Sequence, residues 1–498
     1  MNPLSFELQV VLPSGHGTTL KVLPDWRIRD VKMDAQHQLG KRFLRLMGPD
    51  GQPLKLAPES TVASNGLRGG EVLTAVAQPV LVAAAQCAFC AFVAGGPAVT
   101  WGDAWAWSGD RLGGDSSAVR ERLAQGVRGV QSTSLAFAAL LEDRSVVTWG
   151  DVNCGGDSRH VEAQLCDVEA IQSNNTAFAA LKTDGTVVAW GQATSGGTLS
   201  PELLGAEVSV IQSTATAFAA LRRADGAILA WGEEVYGGDG RFVAHLRGVQ
   251  KLAATWGAFA ALDACGRVAA WGAPNYGGRV ADAAGEGAAK VALAATNAAF
   301  AALDATGGVV AWGDAASGGE VPAAVQEQLQ DVQHIQANSA AFVAIRKDGS
   351  LVAWGDPARG GQLPETARGA ACVAVAAGKN AFAALLADGG RSPRVVCWGQ
   401  TALPGAVPMP DTLKEVKEIA ANDAAFAALL QNETVVCWGS MTHGGNCRAV
   451  QEQLVGVLAI QATSSAFVAI LRDGPPIAWG NERSGGDNAA LWSELLEL

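Results

Sequence analysis

Four carboxylates recur beside a glycine pair: Asp115, Asp157, Asp239 and Asp487 each follow Gly-Gly. Repeated oxygen donors could hold a hard cation such as calcium, which takes roughly six to eight oxygens. The same position elsewhere holds Thr198, Arg279, Glu320, Gln362 and Asn446, and an arginine opposes a cation. Turn and cap chemistry accounts for Asp, Asn and Thr alike, so no metal is expected. Cys87 and Cys90 form one CxxC. Side chains three apart on a strand face opposite sides, however, and no second Cys or His pair has zinc spacing. The six histidines (His16, His37, His160, His245, His334 and His443) share no repeat position. No nucleophile elbow, phosphate loop or dinucleotide fingerprint stands in a suitable context. No catalytic residue, no cofactor and no enzymatic activity are expected.

These residues are positioned by a phrase repeated ten times. Ala-Phe-(Ala/Val/Cys)-Ala-(Leu/Ile/Phe) is followed by a turn, usually acidic-Gly, then a short apolar run and Trp-Gly. It begins at Ala88, Ala136, Ala177, Ala217, Ala258, Ala299, Ala341, Ala381, Ala425 and Ala466, with most units about 41 residues apart. A period of this size means stacked units, each unable to bury its own apolar face alone. Residues 168–210 read as three short strands, with Asp184-Gly185 as a tight turn between the second and third. Both faces of the second and third strands are apolar, so each sheet is expected between neighbours. Val161, Leu165, Val168 and Ile171 recur as Val325, Leu329, Val332 and Ile335. The i, i+4 step predicts a short helical turn, and Ser116 is a plausible N-cap for the first one.

Two units break the pattern. Gly113-Gly114 lies six residues past Trp107 and not past Trp101. This implies a six-residue duplication that adds Trp105 and Trp107 as candidate contact residues. Around Trp398, Gly390-Arg391-Ser392-Pro393 lengthens a hairpin, and Leu403-Pro404-Gly405 replaces the glycine pair.

Before Val80 the pattern differs. Phe6 to Leu12 and Thr18 to Val22 read as a hairpin, Asp25 to about Leu39 as an amphipathic helix, Phe43 to Met47 and Glu71 to Ala77 as two more strands. The order β-β-α-β-β resembles the ubiquitin-like β-grasp. The local words carry the same likeness: Lys21-Val22-Leu23-Pro24-Asp25, Arg45-Leu46-Met47 before a Gly turn and Gln52-Pro53-Leu54, and Pro58-Glu59-Ser60-Thr61-Val62. Leu67-Arg68-Gly69-Gly70 spells the ubiquitin tail, but it precedes the last strand and is internal. The resemblance thus implies a built-in domain (1–78), not a conjugated modifier. It also implies an apolar binding patch including Leu12, Met47 and Val76.

Residues 79–498 form the repeat region. Val375 to Leu385, then Asp388-Gly389 and Val396-Cys397-Trp398-Gly399, resemble the regulator of chromosome condensation repeat. The resemblance implies β-propeller-like blades. The family's usual His before the second strand is absent, with Ala381 in its place, and its longer glycine segment is reduced to Gly-Gly. The fold expected is therefore mainly β: a β-grasp head plus ten units arranged as an enlarged ring, with an open spiral or a solenoid as alternatives.

Charge narrows the partners. The net charge is −12 and charged residues make up 17% of the chain. Residues 1–78 hold nine Lys/Arg and seven Asp/Glu, leaving about −14 on the repeats. An acidic surface repels phosphate, which argues against nucleic acid. No segment approaches the ~18–20 apolar residues of a membrane span, and the nine scattered cysteines suggest a reducing compartment. A soluble cytoplasmic or nuclear protein is expected. The function expected is a non-enzymatic protein–protein interaction scaffold, linked by resemblance to the ubiquitin pathway. The alternatives are a guanine-nucleotide exchange factor or regulator of a small GTPase, and a substrate-recognition subunit of a ubiquitin ligase. No HECT-type catalytic region is expected, since the chain stops at Leu498 just after the tenth unit.

Overall fold

The computed structural model describes residues 5–12, 16–39, 44–52, 54, 60–77, 80–85, 88–93, 96, 98–102, 115–280, 288–388, 391–400, 406–410, 413, 415–472, 476–484 and 486. The amino-terminal part contains β1 (Phe6–Val11), β2 (Gly17–Val22), α1 (Ile28–Leu39), β3 (Leu44–Met47) and β4 (Val72–Ala77). They form one sheet in the order β2-β1-β4-β3. The first and last strands run parallel at its centre, with Val10 opposite Leu73, and the outer pairs are antiparallel. Alternation decides the core: Leu8, Val10, Leu20, Val22, Leu44, Leu46, Leu73 and Ala75 point to one face. That face is covered by Ile28, Val31, Ala35 and Leu39 of α1, an i, i+3/i+4 stripe.

The repeats form ten separate three-stranded antiparallel sheets. They are numbered as blades one to ten by their middle strands, which begin at the ten alanines of the repeated phrase. Blade three is representative: Val168–Ser173 pairs with Ala177–Lys182, which pairs with Val187–Gly191. Its first strand carries a bulge between Val168 and Ala170, and the same irregularity recurs in blades two and four to ten. The predicted helical turns are mostly single 3-10 turns, such as Glu162–Gln164 and Gln451–Gln453. Two are four-residue α-turns, Arg120–Leu123 and Ala323–Gln326. Ser116 stands at the N-cap, but its side chain makes no cap bond. It accepts instead from Thr100 Oγ1 at 3.0 Å. Asp115 Oδ1 takes the amide of Ser117.

Among the described residues no strand ladder runs between neighbouring sheets, which are joined by packed side chains and by single backbone bonds between loops. At each seam, alternate residues of one middle strand meet the Phe and second Ala of the next. Ala177, Ala179 and Leu181, for example, face Phe218 and Ala220. The phenyl ring stacks on its own blade's Trp, with centroids 5.1 Å apart for Phe218 and Trp231. Burying such a ring contributes roughly 1.5–3 kcal/mol, and aromatic stacking about 0.5–1.5 kcal/mol more. The small alanines let successive sheets approach closely.

A linear stack of ten sheets has nine seams; this chain has ten. Ala466, Val468 and Ile470 of blade ten pack on Phe89, Ala91 and Trp101 of blade one, the same arrangement as at every other seam. The array is therefore a closed ring, which overturns the open-spiral and solenoid alternatives. First strands of successive blades lie beside one another and are cross-tied, as by Ser173 Oγ to Ser132 O and Ser213 Oγ to Ser173 O. In radiating sheets, the strands that meet their counterparts are the innermost, so they form the inner wall.

Candidate functional site

In blades two to seven, nine and ten, two loops reach the same face of the ring. One joins the first strand to the second; the other follows Trp-Gly and contains the glycine pair. A Thr or Asn three residues before the Ala-Phe phrase fastens them together. Asn174 Oδ1 accepts from the amides of Thr176 and Ala177, while its Nδ2 donates to Ser195 O at 2.7 Å. Thr214, Thr255 and Thr296 repeat the tie through one hydroxyl, donating to Tyr236 O, Tyr276 O and Ser317 O. Asn338, Asn422 and Thr463 do the same in blades seven, nine and ten. Blade eight has Gly378 at this position. The pattern was present in the sequence, as a Thr or Asn at fixed offset, but the acceptor lies about 21 residues away and periodicity alone does not show it.

The residue after the tie forms a belt. Ser134 N donates to Asn175 O, Asn175 N to Ala215 O, Ala215 N to Trp256 O, and Trp256 N to Asn297 O. Asn297 N donates to Ser339 O and Ser339 N to Lys379 O; Lys379 N then reaches Asn422 O, one residue short of the belt position, and Asp423 N donates to Ser464 O. Blade after blade, one side chain is thereby held at a fixed place on a rigid rim. These side chains are Ser134, Asn175, Ala215, Trp256, Asn297, Ser339, Lys379, Asp423 and Ser464. Lys379 Nζ and Asp423 Oδ2 pair at 2.7 Å. Only Trp256 is aromatic, and it is 56% exposed.

Trp256 is not isolated. Gly257 lies between the two tyrosines of the chain: a Cβ there would sit 2.6 Å from Tyr236 Cδ1 and 2.8 Å from Tyr276 Cδ2. The two rings meet edge-on with centroids 6.1 Å apart. Val235, beside Tyr236, is exposed. Blades four and five thus present an aromatic patch with Glu233 and Glu234 alongside. An aromatic ring with an apolar body and a polar tip suits a partially wet protein contact. Sequence reasoning missed this patch. Its signal was available, since Trp256 breaks the one-Trp-per-unit rule and both tyrosines precede a glycine pair.

The glycine pairs are structural. Gly196 has φ +92° and its carbonyl accepts from Trp231 Nε1 of the next blade at 3.0 Å. A Cβ on Gly196 would lie 2.7 Å from Phe218 Cδ2, and one on Gly197 2.3 Å from Gly191 O. The same indole-to-glycine bond is made by Trp190, Trp271, Trp312, Trp354, Trp398 and Trp479. In blade nine, after the replaced glycine pair, Trp438 Nε1 finds no glycine carbonyl among the described residues and lies beside the Cys397 sulfur instead.

The aspartates after the glycines act as caps. Asp157 Oδ1 accepts from Arg159 N, and Arg159 clasps both carboxylate oxygens. These hydrogen bonds bring the Asp157 carboxyl down to about 2. Asp239 and Arg241 repeat the pair, and Asn446 takes the amide of Arg448. Among the described residues no three His, Cys, Asp or Glu side chains gather as metal ligands.

The amino-terminal candidates separate. Leu12 belongs to the buried core and is 8% exposed, which corrects its placement in a surface patch. It continues the inward parity of Leu8 and Val10. Met47 and Val76 take the opposite parity and are half-buried. Val72, on that outer face, is exposed. Trp105, Trp107, Cys87 and Asp487 lie outside the described residues.

No family model matches the chain, and no curated protein matches it. Solved structures do. The ectodomain of the receptor kinase CR4 of Physcomitrella patens is 20% identical, over 53% of this chain and 70% of that one, with a TM-score of 0.33. Yeast RCC1 (Prp20), solved bound to Kap60, is 15% identical over 79% and 89%, with a TM-score of 0.37. The computationally designed Ika8 protein is 15% identical over 81% and 96%, with a TM-score of 0.31. Among the described residues no helix is long and apolar enough to cross a membrane.

Proposed function

We propose that this chain is a non-enzymatic interaction scaffold that holds a protein partner on the belt face of its ring. One observation carries the reading: among the described residues, a backbone-bonded rim of small or polar side chains exposes a single tryptophan, Trp256, beside the chain's two tyrosines. Aromatic side chains on a rigid frame bind at low entropic cost and are enriched among residues that dominate interfaces. The amino-terminal sheet, with parallel central strands and one helix across it, is read as a ubiquitin-like head that recruits a second protein. The link to the ubiquitin pathway rests on that likeness alone.

The test places a photo-crosslinking phenylalanine analogue at position 256 or 464 of the full chain. A discrete protein adduct at 256, absent at 464 and lost when Tyr236→Ser and Tyr276→Ser are added, is expected. Equal crosslinking at both positions overturns the assignment to blades four and five. Nucleotide release from a panel of small GTPases is run in parallel. Clear acceleration by the chain replaces the scaffold reading with exchange activity.

A further inference from the structure

The residue before a repeat tryptophan faces the residue two past the glycine pair that follows. In blade two these are Thr148 and Ser158, with their hydroxyl oxygens 3.0 Å apart. Thr100 and Ser116 make the same contact in blade one, also at 3.0 Å. In blades six and seven the partners are apolar: Ala311 with Val321, and Ala353 with Leu363. In blade eight they are sulfurs, with Cys397 Sγ 3.7 Å from Met409 Sδ. The position therefore pairs like with like across the loop.

In blade nine this position is occupied by two thiols, Cys437 and Cys447. They are spaced along the chain as Thr148 and Ser158 are. Both are reduced, both lie in the seam with Phe467 and Trp479, and they are 7% and 5% exposed. Carbon–sulfur bonds are longer than carbon–oxygen bonds. Backbones that bring two hydroxyls to 3.0 Å therefore bring two sulfurs within easy reach of a bond, whose Cβ atoms sit about 3.5–4.5 Å apart.

We propose that Cys437 and Cys447 are a reversible modification site, oxidised to an intrablade disulfide by a low-molecular-weight disulfide. The Cys447 thiolate attacks one sulfur of the small disulfide, forming a mixed disulfide and releasing one small thiolate. The Cys437 thiol then loses its proton and attacks the Cys447 sulfur. The protein disulfide forms and the second small thiolate leaves. Two protein thiols and one small disulfide become one protein disulfide and two small thiols. The order of attack follows from surroundings. Burial pushes the Cys437 thiol well up, whereas its hydrogen bond to Cys447 holds the Cys447 thiol down. Cys447 also contacts Gln451 Oε1 at 3.4 Å. The bond encloses Met441 to Gly445, the belt-face loop of blade nine, and so stiffens it.

The experiment treats the full chain with oxidised glutathione, blocks remaining thiols with an alkylating agent and digests with trypsin. Both cysteines fall in one peptide, Glu418 to Arg448. The expected product is that peptide unalkylated and two hydrogens lighter than its dithiol form, restored to a doubly alkylated form after dithiothreitol. Cys437→Ser is expected to leave a glutathione adduct on Cys447. Two alkylated cysteines in the oxidised wild-type chain, or a stable glutathione adduct on it without ring closure, overturn the proposal. Cys437→Thr with Cys447→Ser recreates the blade-two pair. It serves as a folded chain without the redox response, and its retention of a light, unalkylated peptide elsewhere would assign the oxidation to other thiols.

Discussion

Gly196 and Gly205 make a matched pair at the residue scale. Both have positive φ, +92° and +78°, but a Cβ on Gly205 would meet nothing within 4 Å, whereas one on Gly196 would meet the Phe218 ring. Gly205→Ala should cost about 1–2 kcal/mol, the backbone penalty alone. Gly196→Ala should cost about 1–3 kcal/mol more, because the seam must open to admit a methyl group. Urea unfolding of the two variants checks the difference; equal costs would mean that the seam gives way freely. Trp231→Phe strands the Gly196 carbonyl, whereas Trp438→Phe leaves no carbonyl stranded among the described residues and loses only a weak contact with the Cys397 sulfur. The first should cost about 1–2 kcal/mol more than the second, by the same measurement. The glycine pairs and the tryptophans were plain in the sequence. Their bond was not, because donor and acceptor stand 35 residues apart in different blades.

Among the elements, the belt-face loops depend on one side chain each. Asn174→Ala removes three hydrogen bonds and should destabilise the chain by about 1–3 kcal/mol. Amide exchange at Ala177 should quicken, and unchanged protection would mean that water replaces the tie. The turn of blade four adds a pH dependence. Arg222 grips both oxygens of Asp225 and Arg247 reaches one of them, so the Asp225 carboxyl is held far below its ordinary value. A depressed carboxyl stabilises the fold above its unfolded value near 3.9 and loses that contribution as pH falls further. Thermal melts from about pH 4 downward should drop less steeply in Asp225→Asn than in the parent. The strands of blade three and the amino-terminal elements followed directly from alternation and turn residues. Leu12 did not, because its likeness to a surface patch ignored the parity it shares with Leu8 and Val10.

For the whole molecule, closure was the property least visible in the chain. Middle strands carry the same Ala, Phe and Leu faces whether their neighbour is the next unit, the first unit or solvent, so ten copies fit a ring, a spiral or a solenoid equally. The seam of Ala466 and Val468 with Phe89 and Ala91 decides it. Removing residues 457–498 should leave two bare apolar faces, on blades nine and one. The truncated chain is expected to self-associate in sedimentation at concentrations where the parent sediments as one species. A truncated chain that sediments like the parent would show that those faces can be covered from within. The rim has a different consequence. Near-identical blades offer a visitor almost the same backbone at every angular step, as the hours of an unnumbered clock look alike. Trp256 numbers that dial. Trp256→Ser should therefore blur where a partner settles as well as loosen it, scattering its crosslinks around the circle instead of simply abolishing them.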